Sequence, residues 1–546
     1  MSISRFFARN GVLLVLAAVS VYGAICAGAK EILTKPAELP RTFLTTAPPV
    51  QSGTVRTVAA NCSDLQHQID AAQAGDTVQI PAGTTCTGNF VLPKKPASAS
   101  WIVIRTATPD SMLPPGVRVN PQTAGKLARI LTPKPLAAIR TDPGAHHYRL
   151  IGLEIGLIPN FNAVFNYGIV LFGDSSEAQK SMASVPSDLV LDRCYVHGNP
   201  TINVSRAVAL NSARSAIIDS YLSEIHAEGF DTQAIAGWNG PGPYKIVNNY
   251  LEGAGENLMF GGATGYIPGV IPSDIEIKQN YFFKPLSWRI GDPSYAGHHW
   301  SVKNILELKS AQRVLLDGNV FENNWVDSQS GYAVLFTVRT DGQAMTWNVV
   351  QDVTMTNNLI RNTYSAVNIL GFDDNSKAGH TRRLVIQNNV FERLDPDGIG
   401  FQLLEGAQDI LVNHNTMMYE GGRSTMVFDG APADRVVFTN NIVQYGQYGV
   451  IGSGKGAGKV AIGYYAPSNL FANNVFVGNA AAQPLYPECN YFVDSSNAVG
   501  FVSLTGTSNY QLKTNSKFRN AAIDHKDVGA DAAAVAQASR IAIAGK

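Results

Sequence analysis

One pattern recurs through the chain: a short apolar run, then a turn holding Asn, then two apolar or aromatic residues. It reads KIVNNYLEG, IEIKQNYFF, VLLDGNVFE, VTMTNNLIR, LVIQNNVFE, ILVNHNTMM, VVFTNNIVQ and LFANNVFVG. The Asn before the apolar pair is Asn249, Asn280, Asn319, Asn358, Asn389, Asn415, Asn441 and Asn474, and Cys194 and Ser220 hold the same slot earlier. From Cys194 the steps are 26, 29, 31, 39, 39, 31, 26, 26 and 33 residues. Spacing of this order marks a repeat architecture.

The runs alternate apolar with polar residues or are wholly apolar, and Asn or Gly turn chemistry follows each, with no helical pattern between them. Abundant glycine, 50 of 546 residues, fits the same reading. The expectation is an all-β, single-stranded right-handed parallel β-helix of about ten to twelve coils. An Asn in a fixed slot of every coil would stack as a ladder, bonding neighbouring backbone in a tight turn. Open ends of such a solenoid expose unpaired strand edges and need covers. At the N-terminal end the spacing predicts a capping helix over 64–73, with Ser63 and Gln66 at capping-box separation and Leu65, Ile69 and Ala72 on one face. The Ala-rich tail predicts a second covering helix at the far end. The expected organisation is a targeting segment at 1–29, a Pro-rich linker at 30–60, the β-helix at 61–520 and the tail at 521–546.

Arg5 and Arg9 precede an apolar stretch from Gly11 to Ala29 with small residues at its end, the pattern of a cleaved signal peptide. An uncleaved membrane anchor is the alternative, because the stretch is long. Either places the rest as a soluble body, secreted, periplasmic or at the cell surface, and most simply a monomer. Such a compartment permits Cys62 and Cys86 to pair, a clasp that would contribute roughly 3 kcal/mol. Cys194 and Cys489 are expected to be single and buried. Charge balances to a formal net of zero with only 15% charged residues, which argues against a nucleic-acid partner.

Candidate chemistry lies where the repeat is widest, on both sides of Asn319, because the extra residues must loop out from the coils. Those loops hold Trp288, Trp300, Trp325 and Trp347, four of the six tryptophans, with His298 and His299. Their rings would either stack on sugars or pack the loops onto the scaffold. Strand phase turns Leu306, Leu308, Phe336 and Val338 inward, so Glu307, Lys309, Thr337 and Arg339 face out. The same phase adds Asn368, Asn257 and Asp231 to an outward stripe. The plain reading is a solvated face with ion pairs of under about 1 kcal/mol. The chemical reading is uronate cleavage, in which a lysine with its pKa drawn towards about 7–8 takes a proton and cations neutralise the sugar carboxylate.

Two stretches carry a resemblance. CSDLQHQIDAAQAGDTVQIPAGTTCTGNFVLP resembles the opening of exported right-handed β-helix proteins, polysaccharide lyases among them. ELKSAQRVLLDGNVFE with the following LFTVR is similar to the catalytic region of polysaccharide lyase family 6, the alginate lyase and chondroitinase B group. That resemblance implies Lys309, followed by Ser310, as base, Arg339 as acid, calcium as cofactor and an acidic polysaccharide as substrate. The match departs at Thr340, where the family commonly has His, and at Val302 and Asn304, where it has its acidic ligands. Asp231, Glu256, Asn257 and Glu307 are the substitute metal ligands. His299, Trp288, Trp300, Trp325 and Asn368 are the expected substrate contacts. Two alternatives stay open: a glycoside hydrolase using Asp231 with Glu256, or Asp373 with Asp374, and a carbohydrate-binding β-helix without catalysis.

Overall fold

A computed structural model describes residues 34–340, 345–373, 375, 378–504 and 509–546. Residues 1–29, read as the targeting segment, lie outside it, as does Asp374. Three long sheets dominate, of 14, 14 and 13 strands. We call them sheet 1 (from Val55–Thr57 to Asn469–Ala472), sheet 2 (from Thr85–Thr87 to Tyr491–Val493) and sheet 3 (from Phe90–Leu92 to Gly456–Ala457). The chain visits them in turn, coil after coil, and only the last pair of sheet 3 is antiparallel. This is a parallel β-helix, with somewhat more coils than the repeat suggested. The apolar interior forms one continuous cluster along the axis, from Val58 to Phe492.

The Asn slot is the turn from sheet 1 to sheet 2, and the ladder forms there. The Oδ1 of Asn319 accepts from the backbone N–H and the Nδ2 of Asn280, at 3.0 and 3.1 Å. Its own Nδ2 donates to the Ile277 carbonyl, and its N–H to Asn358 Oδ1, both at 2.9 Å. The same contacts repeat to Asn474, which passes the ladder on to Asn490. At its start Ser220 Oγ accepts from the Cys194 N–H. Cys194 is single and buried, and burial pushes its thiol up to about 12. The residue before each ladder Asn is left-handed: Asn248, Gln279, Gly318, Asn357, Asn388, His414, Asn440 and Asn473 all have φ between 50° and 67°. Asn is among the few side chains that adopt that region readily, which accounts for the Asn-Asn doublets.

At the N-terminal end a helix, Leu65–Ala71, turns Leu65 and Ile69 into the core, and Cys62 is bonded to Cys86 with 5.1 Å between Cα atoms. The expected capping box does not form. Gln66 instead exchanges two hydrogen bonds with the backbone of Val91 in the first coil, which ties the helix down more directly. Cys489 is not single: it is disulfide-bonded. The Ala-rich tail forms a helix at Ala532–Ala544, but it lies along the flank and does not cover the far end. Asp531 caps it beside Asn388, and its last turn meets Arg118, whose guanidinium donates to the Ala542 carbonyl.

The Pro-rich stretch read as a linker runs as an extended strap along the leading edge of sheet 1. There Asp274, Arg313, Asp352, Arg383, Asp409 and Arg435 hold one left-handed position in successive coils. They alternate in charge and pair along the row, Arg313 with Asp274, Arg383 with Asp352 and Arg435 with Asp409. The N–H groups of Arg41, Glu38 and Lys35 donate to Asp274, Asp352 and Asp409 in turn, at 2.9, 3.1 and 2.9 Å. Further on, Lys245 reaches the Leu44 carbonyl and the buried Arg149 binds those of Thr46 and Ala47.

Candidate active site on the outer face of sheet 3

Sheet 3 strands are short, and their core residues include an adjacent pair: Ala234 with Ile235, Ile305 with Leu306, Ala333 with Val334. After that pair the alternation is regular, so Leu308 and Phe336 point in while Glu307 and Thr337 point out. Glu307 is in register with Met259 on one side and Leu335 on the other, and Leu335 with Asn368. Thr337 Oγ1 donates to Glu307 Oε1 at 2.8 Å, Asn304 Nδ2 donates to Oε2 at 3.2 Å, and Lys309 Nζ stands 3.6 Å from Oε2. Glu307 is therefore a buried, fully engaged carboxylate that fixes the group expected to act as base.

Lys309 and Arg339 lie on adjacent coils but not in matching slots: Leu308 is in register with Phe336, so Lys309 stands opposite Thr337 and Arg339 comes two residues later. The Arg339 N–H donates to the Lys309 carbonyl at 3.1 Å. The Lys309 side chain is 21% exposed, and Arg339 is exposed. Gly262 makes room for the lysine: with φ of 83°, a Cβ there would meet Lys309 Cδ at 2.9 Å. A residue not anticipated, Asn348, ties Ser310 to Arg339. Its Oδ1 accepts from Ser310 Oγ at 3.0 Å and its Nδ2 donates to the Arg339 carbonyl at 3.1 Å.

A second charged group adjoins the first. Lys303 bonds Asp231, and the Lys303 ammonium is raised: burial opposes this, but Glu256, Asp231 and Glu307 outweigh it. The same contact keeps Asp231 below the usual carboxylate range, against its own burial. Burial, then the nearby Glu307 charge, pushes Glu256 up. Its Oε2 accepts from Gln233 Nε2 at 2.7 Å, and Gln233 is in register with Arg206, whose guanidinium lies 4.9 Å from the Trp238 ring. Lys303 and Asn348 were missed because they lie outside 306–309 and 336–339, the only runs over which the alternation was read; Thr337 faces out as expected.

Other expectations need correction. Asn257 faces the corner between sheets 2 and 3, where its Nδ2 donates to the carbonyls of Leu251 and Phe283. Glu256 faces out in its place, because the strand carries two successive inward residues. Trp288, Trp300 and Trp325 are 4%, 3% and 7% exposed and pack on one another with Ala254 and Val302, so they do not wall a groove over the lysines. The His226 ring stacks on Trp300 at 3.9 Å and meets Trp288 edge-on. Trp347 is half-buried and donates to the Val270 carbonyl. His299 pairs with Asp327 at 2.7 Å and lines, with one side of Trp288 and Trp325, a separate pocket reaching Tyr364 and Asp395. Asn368 is largely buried and donates to Gln402. Asp373 is buried in a turn, where it accepts from the Asn375 N–H.

The donor set does not suit calcium. A calcium site gathers six to eight oxygens around the ion. Here Asn257 is turned away, and Asp231 and Glu307 each face a lysine. No group of three or more His, Cys, Asp or Glu side chains among the described residues is placed to hold a metal.

No protein-family profile matches the chain, and no curated protein matches it in sequence. Solved structures with a similar fold include a PL6 family polysaccharide lyase, Pedsa3628, from Pseudopedobacter saltans, with 10% identity and a TM-score of 0.44 over 87% of this chain and 99% of that one. An alginate lyase from Paenibacillus sp. str. FPU-7 gives 11% and 0.23 over 81% and 98%. Pectate lyase Pel9A gives 12% and 0.34 over 88% and 96%. The chain is a parallel β-helix protein, on the evidence of its own three sheets.

Proposed function

We propose that this protein is a polysaccharide lyase cleaving a uronate-containing polymer by β-elimination on the outer face of sheet 3. The observation that supports the reading most is Lys309 on the outer face beside Glu307, reaching solvent, with the exposed Arg339 on the next coil two residues beyond the position opposite it and Lys303 close by at Asp231. In this reaction the base takes the proton from the carbon bearing the carboxylate. That C–H electron pair becomes the new double bond. The bond from the neighbouring carbon to the glycosidic oxygen breaks, and the departing oxygen takes a proton. Lys309 is the base and Arg339 the donor beside the leaving oxygen. Lys303 supplies the positive charge that faces the sugar carboxylate, the task a metal ion would otherwise do. Lys309 gives its own ammonium proton to solvent before turnover, and its lone pair then takes the proton from the substrate carbon.

The test is a screen of alginate, polygalacturonate and chondroitin, with and without a chelator. An ultraviolet-absorbing unsaturated product, formed equally with chelator, is the expected result. Reducing ends without absorbance would replace the lyase with a hydrolase, and no product from any uronate polymer would sink the reading.

A further inference from the structure

A cluster of aromatic rings stands exposed at one end of the same face. Tyr167 is 72% and Phe230 57% exposed, although large apolar rings are normally buried. Phe165 joins them, with its ring centroid 4.6 Å from Tyr167 and 5.0 Å from Phe230. The rings come from separate coils: Phe165–Asn166 pairs in parallel with Asn203–Val204, and Phe230 lies one coil beyond.

The cluster is continuous with the charged site. Phe230 directly precedes Asp231, the partner of Lys303. Tyr167 precedes Gly168, where an added Cβ would sit 3.9 Å from Arg206 Cβ. Arg206 is in register with Gln233, and Gln233 with Glu256. Arg206 Nε and Gln233 Oε1, along this row, are buried without a protein hydrogen-bond partner. From Tyr167 to Lys309 the path crosses four coil steps, about 19 Å at ~4.8 Å each.

We propose that Phe165, Tyr167 and Phe230 form a stacking platform for sugar rings of an acidic polysaccharide, remote from the bond that is cut. This rests on reading the face as a uronate-polymer site. Sugar C–H faces would lie on the rings, while the negative ring faces repel carboxylates and turn them towards Arg206 and Lys303. A polymer engaging both ends must span several sugars. The platform would therefore hold long substrates and leave short ones untouched.

The experiment compares the full chain with a Tyr167→Ala, Phe230→Ala double variant on alginate and polygalacturonate oligomers of graded length. Equal thermal melting confirms that the exposed positions leave the fold intact. On long oligomers KM is expected to rise about tenfold, equivalent to ~1.4 kcal/mol, with kcat and all disaccharide and trisaccharide kinetics unchanged. Equal loss at every length, or none, would overturn the platform. Calorimetric binding of the same oligomers separates this from the lyase reading. A length-dependent loss of affinity without any turnover upholds the platform while the lyase fails. A change in self-association with unchanged oligomer binding would mark the rings as a contact between copies, and would overturn the proposal.

Discussion

The turn between sheets 1 and 2 and the outer face of sheet 3 are built on the same coils and obey opposite rules. In the turn, one residue type serves every coil from Asn249 to Asn490, and each side chain both gives to and takes from its neighbours. On the face, Met259, Glu307, Leu335, Asn368 and Gln402 follow one another in register as thioether, carboxylate, alkyl and two amides. Uniformity there buries polar groups without an unmet partner; variety here gathers unlike charges at one place. A solenoid can hold a demanding face because another corner of each coil is fixed independently.

Exchanging a residue in each region should separate them. Lys309→Ala is expected to lower kcat by at least about a hundredfold, the usual weight of a general base, with melting temperature unchanged. Equal activity would remove the lysine from the chemistry. Asn319→Ala should do the reverse. It leaves the Asn280 N–H without its acceptor and removes the Asn319 amide bond to the Ile277 carbonyl, while the Asn280 amide keeps only the Ile246 carbonyl, and should cost about 3 kcal/mol in denaturant unfolding, with kcat per folded molecule retained. A cost below about 1 kcal/mol would mean that the ladder is dispensable at single rungs.

The corner between sheets 2 and 3 sharpens the contrast, because it buries ionisable groups where the Asn turn buries amides. Burial, then the nearby Glu224, pushes Glu252 from 4.5 to about 8. It accepts from the Glu224 N–H and the Tyr250 hydroxyl. An acid with a raised folded pKa contributes stability that is complete below its unfolded pKa and lost as pH rises through the folded one. The melting temperature should therefore fall between about pH 4.5 and about pH 8, and Glu252→Gln should flatten that fall. Parallel curves would show the carboxyl to be irrelevant. Lys284 lies nearby, its Nζ donating to the carbonyls of Gly253, Ala254 and Gly255, and burial lowers it from 10.5 to about 7 although Glu256 and Glu252 oppose this.

The smallest effect is expected at the strap. Although burial opposes it, the Arg313 guanidinium holds Asp274 below the usual carboxylate range. Asp274→Asn keeps the left-handed turn and an oxygen for the Arg41 N–H but loses the ion pair. The expected cost is about 0.5–1 kcal/mol, with faster proteolysis around Arg41. Unchanged cleavage would mean that the strap is held elsewhere.

Legibility followed the same division. The ladder could be read because one slot carries one chemistry at a countable interval. The outward sense of Glu307 and Lys309 could be read because alternation holds between Leu306 and Leu308. The places of Asn257 and Glu256 could not, since paired inward residues shift the phase by one just before that point. The tryptophans were ambiguous from the start, and burial decided them. The strap was invisible because its partners, Asp274, Asp352 and Asp409, lie hundreds of residues away and were indistinguishable from surface acids.

That strap imposes a rule of commensurability on the solenoid. Lys35, Glu38 and Arg41 are three residues apart, and their acceptors are two coils apart. Three extended residues advance about 10 Å and two coils about the same, so the two periods mesh as a vernier. Inserting one coil between Asp274 and Asp409 would bring a guanidinium to an N–H that needs an acceptor. Inserting two, with three residues added to the strap, would restore every contact. In this part of the molecule a change by an even number of coils keeps every strap contact, and a change by one coil puts them out of step.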